Sequence, residues 1–254
     1  VKFKTMKIAL ITGATSGIGM ATAKKIASNY KLILCGRRTD RLYELATELS
    51  QITEVITLRF DVRDKESVFK AIETLPTEWQ KIDVLINNAG NAHGLSSFQD
   101  ADIEDLEAMI DINVKGLIYV TKAVLPLMLP QQSGHIVNLS SIAGKEVYAN
   151  GTTYCASKWA VEALTKGMRL DLLSQGIKVT SVAPGAVETE FSLVRFKGDE
   201  EKAANVYKGF DALQAEDIAE TIAFAINQPD YVQLADITVL PKAQGDGKTI
   251  HKNL

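Results

Sequence analysis

The feature that most constrains the fold is an alternation of short apolar runs with longer segments in which apolar residues recur at helical spacing. The short runs are nearly continuous in Ile, Leu and Val, which is typical of central strands in a parallel sheet covered on both faces. They predict strands at residues 7–12, 31–35, 55–60, 84–87, 135–139, 179–183 and 237–240. Helical spacing predicts helices at residues 40–50, 64–75 and 216–227, with Thr39 or Asp40 as the N-cap of the first.

This order of elements implies right-handed strand–helix–strand crossovers. We therefore predict one doubly wound α/β domain of the Rossmann type over residues 1–254, with a parallel sheet of about seven strands and helices on both faces. Two segments are less regular. Residues 102–128 predict a long helix that Pro126 and Pro130 should end, and residues 188–213 are charged and lack a clear period. Because connections of that length are usually functional lids or disordered, we expect a substrate lid around residues 188–213.

Composition argues against several classes of protein. The chain has 28 Lys and Arg against 31 Asp and Glu, so it lacks the basic surface that nucleic acid requires. Its apolar runs are shorter than the ~20 residues of a membrane-spanning helix, and the basic residues 1–7 do not begin a signal peptide. Only Cys35 and Cys155 occur, which favours a cytoplasmic location, and the histidines lack metal-ligand spacing. We therefore expect no nucleic acid, membrane or metal as partners.

The first predicted strand leads into a glycine-rich turn that a helix follows. Glycines allow a tight turn and the close approach of a pyrophosphate, which the free N–H groups of the following helix can bind. The spacing is Gly-x-x-x-Gly-x-Gly, which differs from the commonest dinucleotide fingerprint, and glycines also mark many turns that bind nothing. The position after the first strand favours a dinucleotide site, formed by Gly13, Thr15, Ser16, Gly17, Ile18 and Gly19.

The end of the second predicted strand indicates which dinucleotide is bound. An acidic residue there would bind a free ribose 2′-hydroxyl, but this chain has Arg37 and Arg38, which favour the 2′-phosphate of NADP(H). The alternative is that both arginines lie on the surface near Asp40 and Glu44. After the third strand, two residues are positioned to enclose the adenine, unless the first of them caps the next helix: Asp61 and Val62.

Catalytic chemistry is indicated by Tyr154 and Lys158, which lie four residues apart and so share one face of a helix. A phenol titrates near pH ~10, and a nearby cation lowers its pKa, which makes the phenol a usable acid or base. The same pattern also arises by chance from a tyrosine beside a surface lysine. Ser141 supports a catalytic interpretation because it ends a predicted strand, as does the segment 87–90. Asn113 lies within a predicted helix, where asparagine is disfavoured without a specific hydrogen bond.

Together these motifs resemble the short-chain dehydrogenase/reductase family. The resemblance covers almost the whole chain, and it rests on residues 12–19, Asn88, Ala89, Gly90, Asn113, Ser141, Tyr154, Lys158, Pro184 and Gly185. It implies hydride transfer with NADP(H), in which Tyr154 is the acid/base and Ser141 binds the reacting oxygen. Lys158 would hold the nicotinamide ribose and lower the tyrosine pKa, and Asn113 would order a water. It also implies cofactor contacts from Asn88, Ala89, Gly90, Tyr154, Lys158, Pro184, Gly185, Val187 and Thr189.

Narrower motifs, within residues 75–83, 109–117 and 190–199, resemble the NADP-dependent 3-hydroxy acid dehydrogenases of this family, also called serine or L-allo-threonine dehydrogenases. The resemblance implies a homotetramer that interconverts a small 3-hydroxy acid and its 3-oxo acid or semialdehyde. A substrate carboxylate needs a cationic partner, for which we expect Arg195 or, alternatively, Lys197 or Lys145. Two other functions stay open: reduction of another carbonyl compound such as a 3-oxoacyl thioester or a sugar, and NADP binding without catalysis.

Overall fold

The computed structural model describes residues 6–253. Strands in this part of the chain are β1 (Lys7–Thr12), β2 (Tyr30–Gly36), β3 (Val55–Arg59), β4 (Ile82–Asn87), β5 (Gly134–Leu139), β6 (Ile177–Pro184), β7 (Val187–Glu188), β8 (Leu213–Gln214) and β9 (Asp236–Val239). Seven of them form one parallel sheet in the order β3-β2-β1-β4-β5-β6-β9. The strand order changes direction between β1 and β4, which is where sheets of this type bind their ligands.

Helices cover both faces of this sheet. They are α1 (Gly17–Ile26), α2 (Thr39–Leu49), α3 (Lys65–Glu73), α4 (Ile103–Ile110), α5 (Gly116–Met128), α6 (Thr152–Asp171), α7 (Glu190–Arg195), α8 (Glu200–Tyr207) and α9 (Ala215–Ile226). Leu10 of β1 packs in a core with Val124 of α5, whereas its neighbour Ile11 packs in a second core with Leu45 and Ile222 from α2 and α9. Successive residues of a strand point to opposite faces, so a strand covered on both faces is apolar throughout.

The structure confirms the predicted fold class, and the seven strands of the parallel sheet differ from the predicted ones only by one or two residues at their ends, whereas β7 and β8 were not predicted. The predicted cap of α2 is wrong. Neither Thr39 nor Asp40 caps this helix, because Arg38 is at the N-cap position and makes no side-chain capping bond. α3 begins after Asp64, whose carboxylate accepts a hydrogen bond from a backbone N–H of the first turn at 3.2 Å. Asp61 therefore does not cap that helix.

The long helix predicted over residues 102–128 is present but interrupted. A wide turn of π-helix, Asp111–Lys115, joins α4 to α5, and the helix continues through Pro126 to Met128. By length and composition alone, Ile103–Gln131 could cross a membrane. Half of its most apolar window is buried inside the protein, where α5 packs on β4 and α3, as is usual for a core helix of a globular fold.

The segment 188–213 has no helical period in the sequence, yet it forms α7 and α8. The side chains of Thr189 and Asp199 cap these two helices by accepting backbone hydrogen bonds. The two ends of the segment lie side by side, because Val187 pairs with Leu213 in a short β7–β8 ladder. A segment anchored at both ends beside the sheet is well positioned to serve as the predicted lid.

Candidate active site

A cavity of about 740 Å³ lies at the carboxyl ends of the central strands. Apart from the alternative cations Lys145 and Lys197, every predicted site residue lines it except Gly19 and Asn113. The two arginines follow β2 and Ser141 follows β5, so the cavity crosses the ends of about four strands, roughly 15 Å at the usual strand spacing. That length suits a dinucleotide with a small substrate at one end. Across residues 6–253, no group of three His, Cys, Asp or Glu residues is placed to hold a metal ion.

The turn after β1 has the backbone geometry of a phosphate-binding loop. Gly13 and Gly17 have φ angles of +65° and +49°, a conformation that residues with side chains rarely adopt. A Cβ atom at Gly19 would lie 2.4 Å from both the Asn88 side-chain nitrogen and the Gly13 carbonyl oxygen, so only glycine fits there. Gly19 thus packs beneath the turn and supports its shape.

Asn88 and Ala89, which follow β4, brace the same turn. The Asn88 Nδ2 group donates to the carbonyl oxygens of Thr12 and Gly13 at 2.9 and 3.2 Å. In return, Thr12 Oγ1 accepts hydrogen bonds from the backbone N–H groups of Asn88 and Ala89, both at 3.0 Å. At the N-cap of α1, the side chain of Ser16 makes no capping bond. The first N–H groups of α1 are therefore available to a phosphate.

The arginines after β2 lie at the predicted 2′-phosphate position. Arg38 donates hydrogen bonds to the hydroxyl oxygens of Thr15 and Ser16, at 3.1 and 2.6 Å, and Arg37 pairs with Asp61 at 3.3 Å. The carboxylates that contact these arginines belong to Asp61 and Glu190. The alternative interpretation required Asp40 and Glu44 in α2 instead. Both guanidinium groups line the cavity.

Asp61 and Val62 lie where they could enclose an adenine ring. Arg63 donates a hydrogen bond to Asp61 at 2.7 Å. Burial raises the pKa of Asp61, but the hydrogen bonds and charge of Arg63, together with the charge of Arg37, outweigh it and lower the pKa to about 2. Val62 presents an apolar surface to the cavity and packs on Gly116, where a Cβ would lie 2.7 Å from its side chain.

Ser141, Tyr154 and Lys158 come together at the other end of the cavity. Ser141 follows β5, and the tyrosine and lysine share one face of α6; all three are buried. Lys158 Nζ donates to the carbonyl oxygen of Leu139 at 2.9 Å and lies 5.9 Å from the centre of the Tyr154 ring. Ser141 Oγ accepts a hydrogen bond from the backbone N–H of Ala143 at 3.1 Å. The structure thus places a hydroxyl, a phenol and an ammonium group around one space, as the sequence predicted.

The pKa of Tyr154 differs from the expectation. Burial raises it above the ordinary value for a phenol, and the Ser141 hydroxyl and the charge of Arg195 lower it only in part. Burial lowers the pKa of Lys158 to about 8, although the charge of Glu162 acts in the opposite direction. In this structure the phenol is therefore protonated at neutral pH, and the lowering that was expected from Lys158 is not observed.

Asn113 supports the site from behind. It lies in the π turn, where its Oδ1 accepts from the backbone N–H of Asn91 at 2.9 Å and its Nδ2 donates to the Asn91 carbonyl and Ser157 Oγ at 2.8 and 3.0 Å. A Cβ at Gly90 would lie 2.9 Å from Asn113 Oδ1 and 3.4 Å from Lys158 Nζ. Glycine at position 90 therefore lets these two groups approach each other. The ordering of a water by Asn113 stays a prediction.

The segment after β6 closes one side of the cavity. The backbone N–H of Gly185 donates to the Val239 carbonyl at 2.8 Å, and the N–H of Ala186 donates to Gln244 Oε1 at 2.8 Å. A Cβ at Gly185 would lie 2.3 Å from the same Gln244 oxygen, so a larger residue there would displace the Gln244 side chain. These contacts hold the residues that were predicted to contact the nicotinamide: Pro184, Gly185, Val187 and Thr189.

Two of the three cations proposed for the substrate carboxylate are already paired. Lys145 Nζ lies 2.8 Å from a carboxylate oxygen of the buried Glu162. Lys197 Nζ lies 2.9 Å from a carboxylate oxygen of Asp105 in α4. Neither lysine lines the cavity. The structure therefore does not favour either alternative.

Arg195, the third candidate, lines the cavity beside Tyr154. Its Nε donates to the carbonyl oxygen of Gly94 at 3.1 Å, and its Cζ lies 5.5 Å from the centre of the Tyr154 ring. Phe191 of the same helix packs on that ring with a centroid separation of 5.7 Å. Within residues 6–253, Arg195 forms no ion pair. Its remaining N–H groups are thus not committed to a carboxylate.

Two residues at the arginine site were missed in the sequence. Glu190, the first residue of α7, pairs with Arg38 at 2.9 Å and with Arg41 at 2.6 Å. Arg41 could have been found as a further arginine in the first turn of the predicted helix. Nothing local points to Glu190, because 149 residues separate it from Arg41.

Comparison with known proteins agrees with this geometry. The family model for short chain dehydrogenase matches residues 7–200. The chain is 45% identical over 250 residues to the NADP-dependent 3-hydroxy acid dehydrogenase of Schizosaccharomyces pombe, which covers 97% of this chain and 96% of that protein. It is also 46% identical over 239 residues to sulfoacetaldehyde reductase 2 of Chromohalobacter salexigens, with 93% and 95% of the two chains covered.

The solved structures include a similar fold over nearly the full length. The closed form of serine dehydrogenase complexed with NADP+ matches with a TM-score of 0.90 and 40% identity, and the match covers 97% of this chain and 100% of that chain. Sequence motifs, strand order and these similarities all agree, and the chain belongs to the short-chain dehydrogenase family.

Proposed function

We propose that this protein is an NADP-dependent oxidoreductase that interconverts a small 3-hydroxy acid, such as serine, allo-threonine or 3-hydroxypropionate, and its 3-oxo acid or semialdehyde. One observation carries the substrate class: Arg195 lines the cavity over the Tyr154 ring and forms no ion pair within residues 6–253. A buried carboxylate needs such a partner, because losing its water without one is costly. The similar 3-hydroxy acid dehydrogenase and serine dehydrogenase support this choice.

The residues that line the cavity fit NADP(H). The glycine turn and the start of α1 would hold the pyrophosphate, and Arg37 and Arg38 would hold the 2′-phosphate. Asp61 and Val62 would enclose the adenine. The nicotinamide end would be held by Asn88, Ala89, Gly90, Tyr154, Lys158, Pro184, Gly185, Val187 and Thr189. When bound, the nicotinamide ring accepts or supplies the hydride.

Tyr154 is the acid/base of the proposed reaction. Burial keeps its phenol protonated at neutral pH, so it is ready to donate a proton to a substrate carbonyl oxygen. Oxidation of an alcohol requires the phenolate instead, and the Ser141 hydroxyl and the charge of Arg195 favour that form by lowering the pKa of Tyr154 in part. Ser141 would donate a hydrogen bond to the same substrate oxygen. Arg195 would hold the carboxylate two carbons away.

A second candidate is reduction of a small sulfonated aldehyde. The 46% identity to sulfoacetaldehyde reductase 2 favours it, since a sulfonate is also an anion close to the reacting carbonyl. Arg195 could bind either anion through the same N–H groups. The two candidates therefore share the cofactor, the acid/base and the cation, and differ in the shape of the anion.

Steady-state oxidation of a substrate panel with NADP+ tests this proposal. The panel contains 3-hydroxypropionate, L-serine, L-allo-threonine, 2-hydroxyethanesulfonate, the methyl ester of 3-hydroxypropionate and a sugar. We expect the highest kcat/KM for one of the carboxylates and a much lower value for the ester. A preference for the sulfonate would support the second candidate. No turnover with any of the anions would overturn both.

We also propose that the protein is a cytoplasmic homotetramer. Large apolar side chains are exposed on the outside of α6 and α9, at Trp159, Leu170 and Phe224, and such surface often lies in subunit interfaces. Cys35 and Cys155 are both free and buried, which suits a reducing compartment. Light scattering coupled to size exclusion tests the assembly, and a monomer at micromolar concentration would contradict it.

A further inference from the structure

A carboxylate of the lid, on Glu190, lies between Arg38 of the proposed 2′-phosphate site and Arg41 in the first turn of α2. Glu190 Oε2 accepts a hydrogen bond from Arg38 at 2.9 Å, and Oε1 accepts one from Arg41 at 2.6 Å. Arg38 also donates to the hydroxyl groups of Thr15 and Ser16, which line the cavity. The two guanidinium groups thus already bind an anion, each through one N–H group, and N–H groups of arginine also bind phosphate oxygens.

These ion pairs are exposed enough to be exchanged for another anion. The side chains of Arg38, Arg41 and Glu190 are 42%, 46% and 41% exposed, so solvent screens their attraction. Burial raises the pKa of Glu190, but the hydrogen bonds and charges of Arg38 and Arg41 together outweigh it and lower the pKa overall. The carboxylate is therefore ionised at neutral pH, where a phosphate monoester carries a charge of about −1.5 to −2.

We infer that Glu190 is a specificity-determining residue for the cofactor: its carboxylate competes with a ribose 2′-phosphate for Arg38 and Arg41, and so limits how strongly the site prefers a phosphorylated ribose. Arg41 does not line the cavity, but it shares the Glu190 carboxylate with Arg38 and would be freed to contact the phosphate once Glu190 is displaced. The inference rests on the proposed NADP-dependent function. It predicts that removing the Glu190 charge strengthens binding of the 2′-phosphate and leaves the rest of the dinucleotide site unchanged.

Calorimetric binding of 2′-phospho-ADP-ribose and ADP-ribose tests this inference directly. The two ligands differ only in the 2′-phosphate, and neither carries a nicotinamide, so the readout does not depend on turnover. Glu190→Gln keeps the size of the side chain and removes its charge. We expect this variant to bind 2′-phospho-ADP-ribose about twofold to fivefold more tightly, with ADP-ribose unchanged. Arg41→Gln should weaken 2′-phospho-ADP-ribose alone, by about tenfold.

Glu188→Gln is the matched control. Glu188 is exposed, lies two residues before Glu190 and forms no ion pair with either arginine within the described residues. Its replacement by glutamine changes the net charge by the same amount as Glu190→Gln. We expect it to leave the ratio of the two affinities unchanged. An equal change of the affinity ratio in Glu190→Gln and Glu188→Gln would mean a general charge effect and would overturn the inference. Weaker 2′-phospho-ADP-ribose binding by Glu190→Gln would overturn it as well.

Failure of the inference can be told apart from failure of the proposed function. If the unaltered protein prefers 2′-phospho-ADP-ribose and Glu190→Gln does not change that preference, the inference alone is wrong. If the unaltered protein binds the two ligands equally, the proposed cofactor is wrong as well.

Discussion

Replacing Arg195 by leucine tests whether the lid holds the substrate carboxylate. The Nε of Arg195 is engaged by the Gly94 carbonyl at 3.1 Å, which leaves the two Nη groups for parallel hydrogen bonds to a carboxylate. A hydrogen bond to a charged group contributes about 1.5–3 kcal/mol. We therefore expect Arg195→Leu to lower kcat/KM for a 3-hydroxy acid by roughly 10–150-fold.

The assay must separate the carboxylate from other effects of Arg195. The substitution also removes the bond to Gly94 and a charge that lowers the pKa of Tyr154, and both losses affect every substrate. The methyl ester of the same acid keeps the hydroxyl group and lacks the charged carboxylate, so the acid-to-ester ratio of kcat/KM isolates the contact of interest. We expect most of the roughly 10–150-fold loss of kcat/KM for the acid to appear as a fall in this ratio.

Lys197→Met is the matched control for this experiment. It removes another cation of the lid, but Lys197 is paired with Asp105 and does not line the cavity. The acid-to-ester ratio should therefore stay at the value of the unaltered protein. Equal losses for acid and ester in Arg195→Leu would refute the reasoning and would assign the carboxylate to another group.

Three further outcomes are expected. Tyr154→Phe should lose most of its turnover yet bind 2′-phospho-ADP-ribose normally. In the unaltered protein, the rate of oxidation of the methyl ester should rise with pH. Arg195→Leu should move this rise to higher pH, because the charge of Arg195 lowers the pKa of Tyr154. In kinetics with both cofactors, Arg38→Ala should reduce kcat/KM for NADP+ more than Arg37→Ala, because the hydroxyl groups of Thr15 and Ser16 hold Arg38 beside the glycine turn. Neither substitution should much affect kcat/KM for NAD+; equal losses with both cofactors would contradict this. Burial lowers the pKa of His135 from 6.5 to about 3. In the pH window between these two values, the unfolded chain therefore binds a proton that the folded chain does not. The free energy of unfolding should thus fall by up to about 1.4 kcal/mol per pH unit as pH decreases through this window, and urea unfolding of His135→Gln should lack that contribution.

Much of the site could be predicted because its residues follow directly from the ends of strands. A parallel sheet brings the carboxyl ends of its strands to one edge, so Arg38, Ser141 and the segment after β4 had to lie along that edge once the strands were identified. The positions of Gly19 and Asn113 could not be predicted in the same way. Both carry a recognisable local pattern, but one packs beneath the glycine turn and the other lies behind Gly90, and only the packing of distant elements decides this.

The sequence alone determined the fold class, the glycine turn and the pairing of Tyr154 with Lys158 on one helix face. These features depend on spacing along the chain and on backbone sterics, which are local. Only the tertiary structure decided that Glu190 contacts Arg38 and that Arg195 lies over the Tyr154 ring, since more than a hundred residues separate the first pair and the lid has no periodic pattern. It also decided that the tyrosine pKa is raised and not lowered. Burial sets that direction, and burial depends on how the whole chain packs around the phenol.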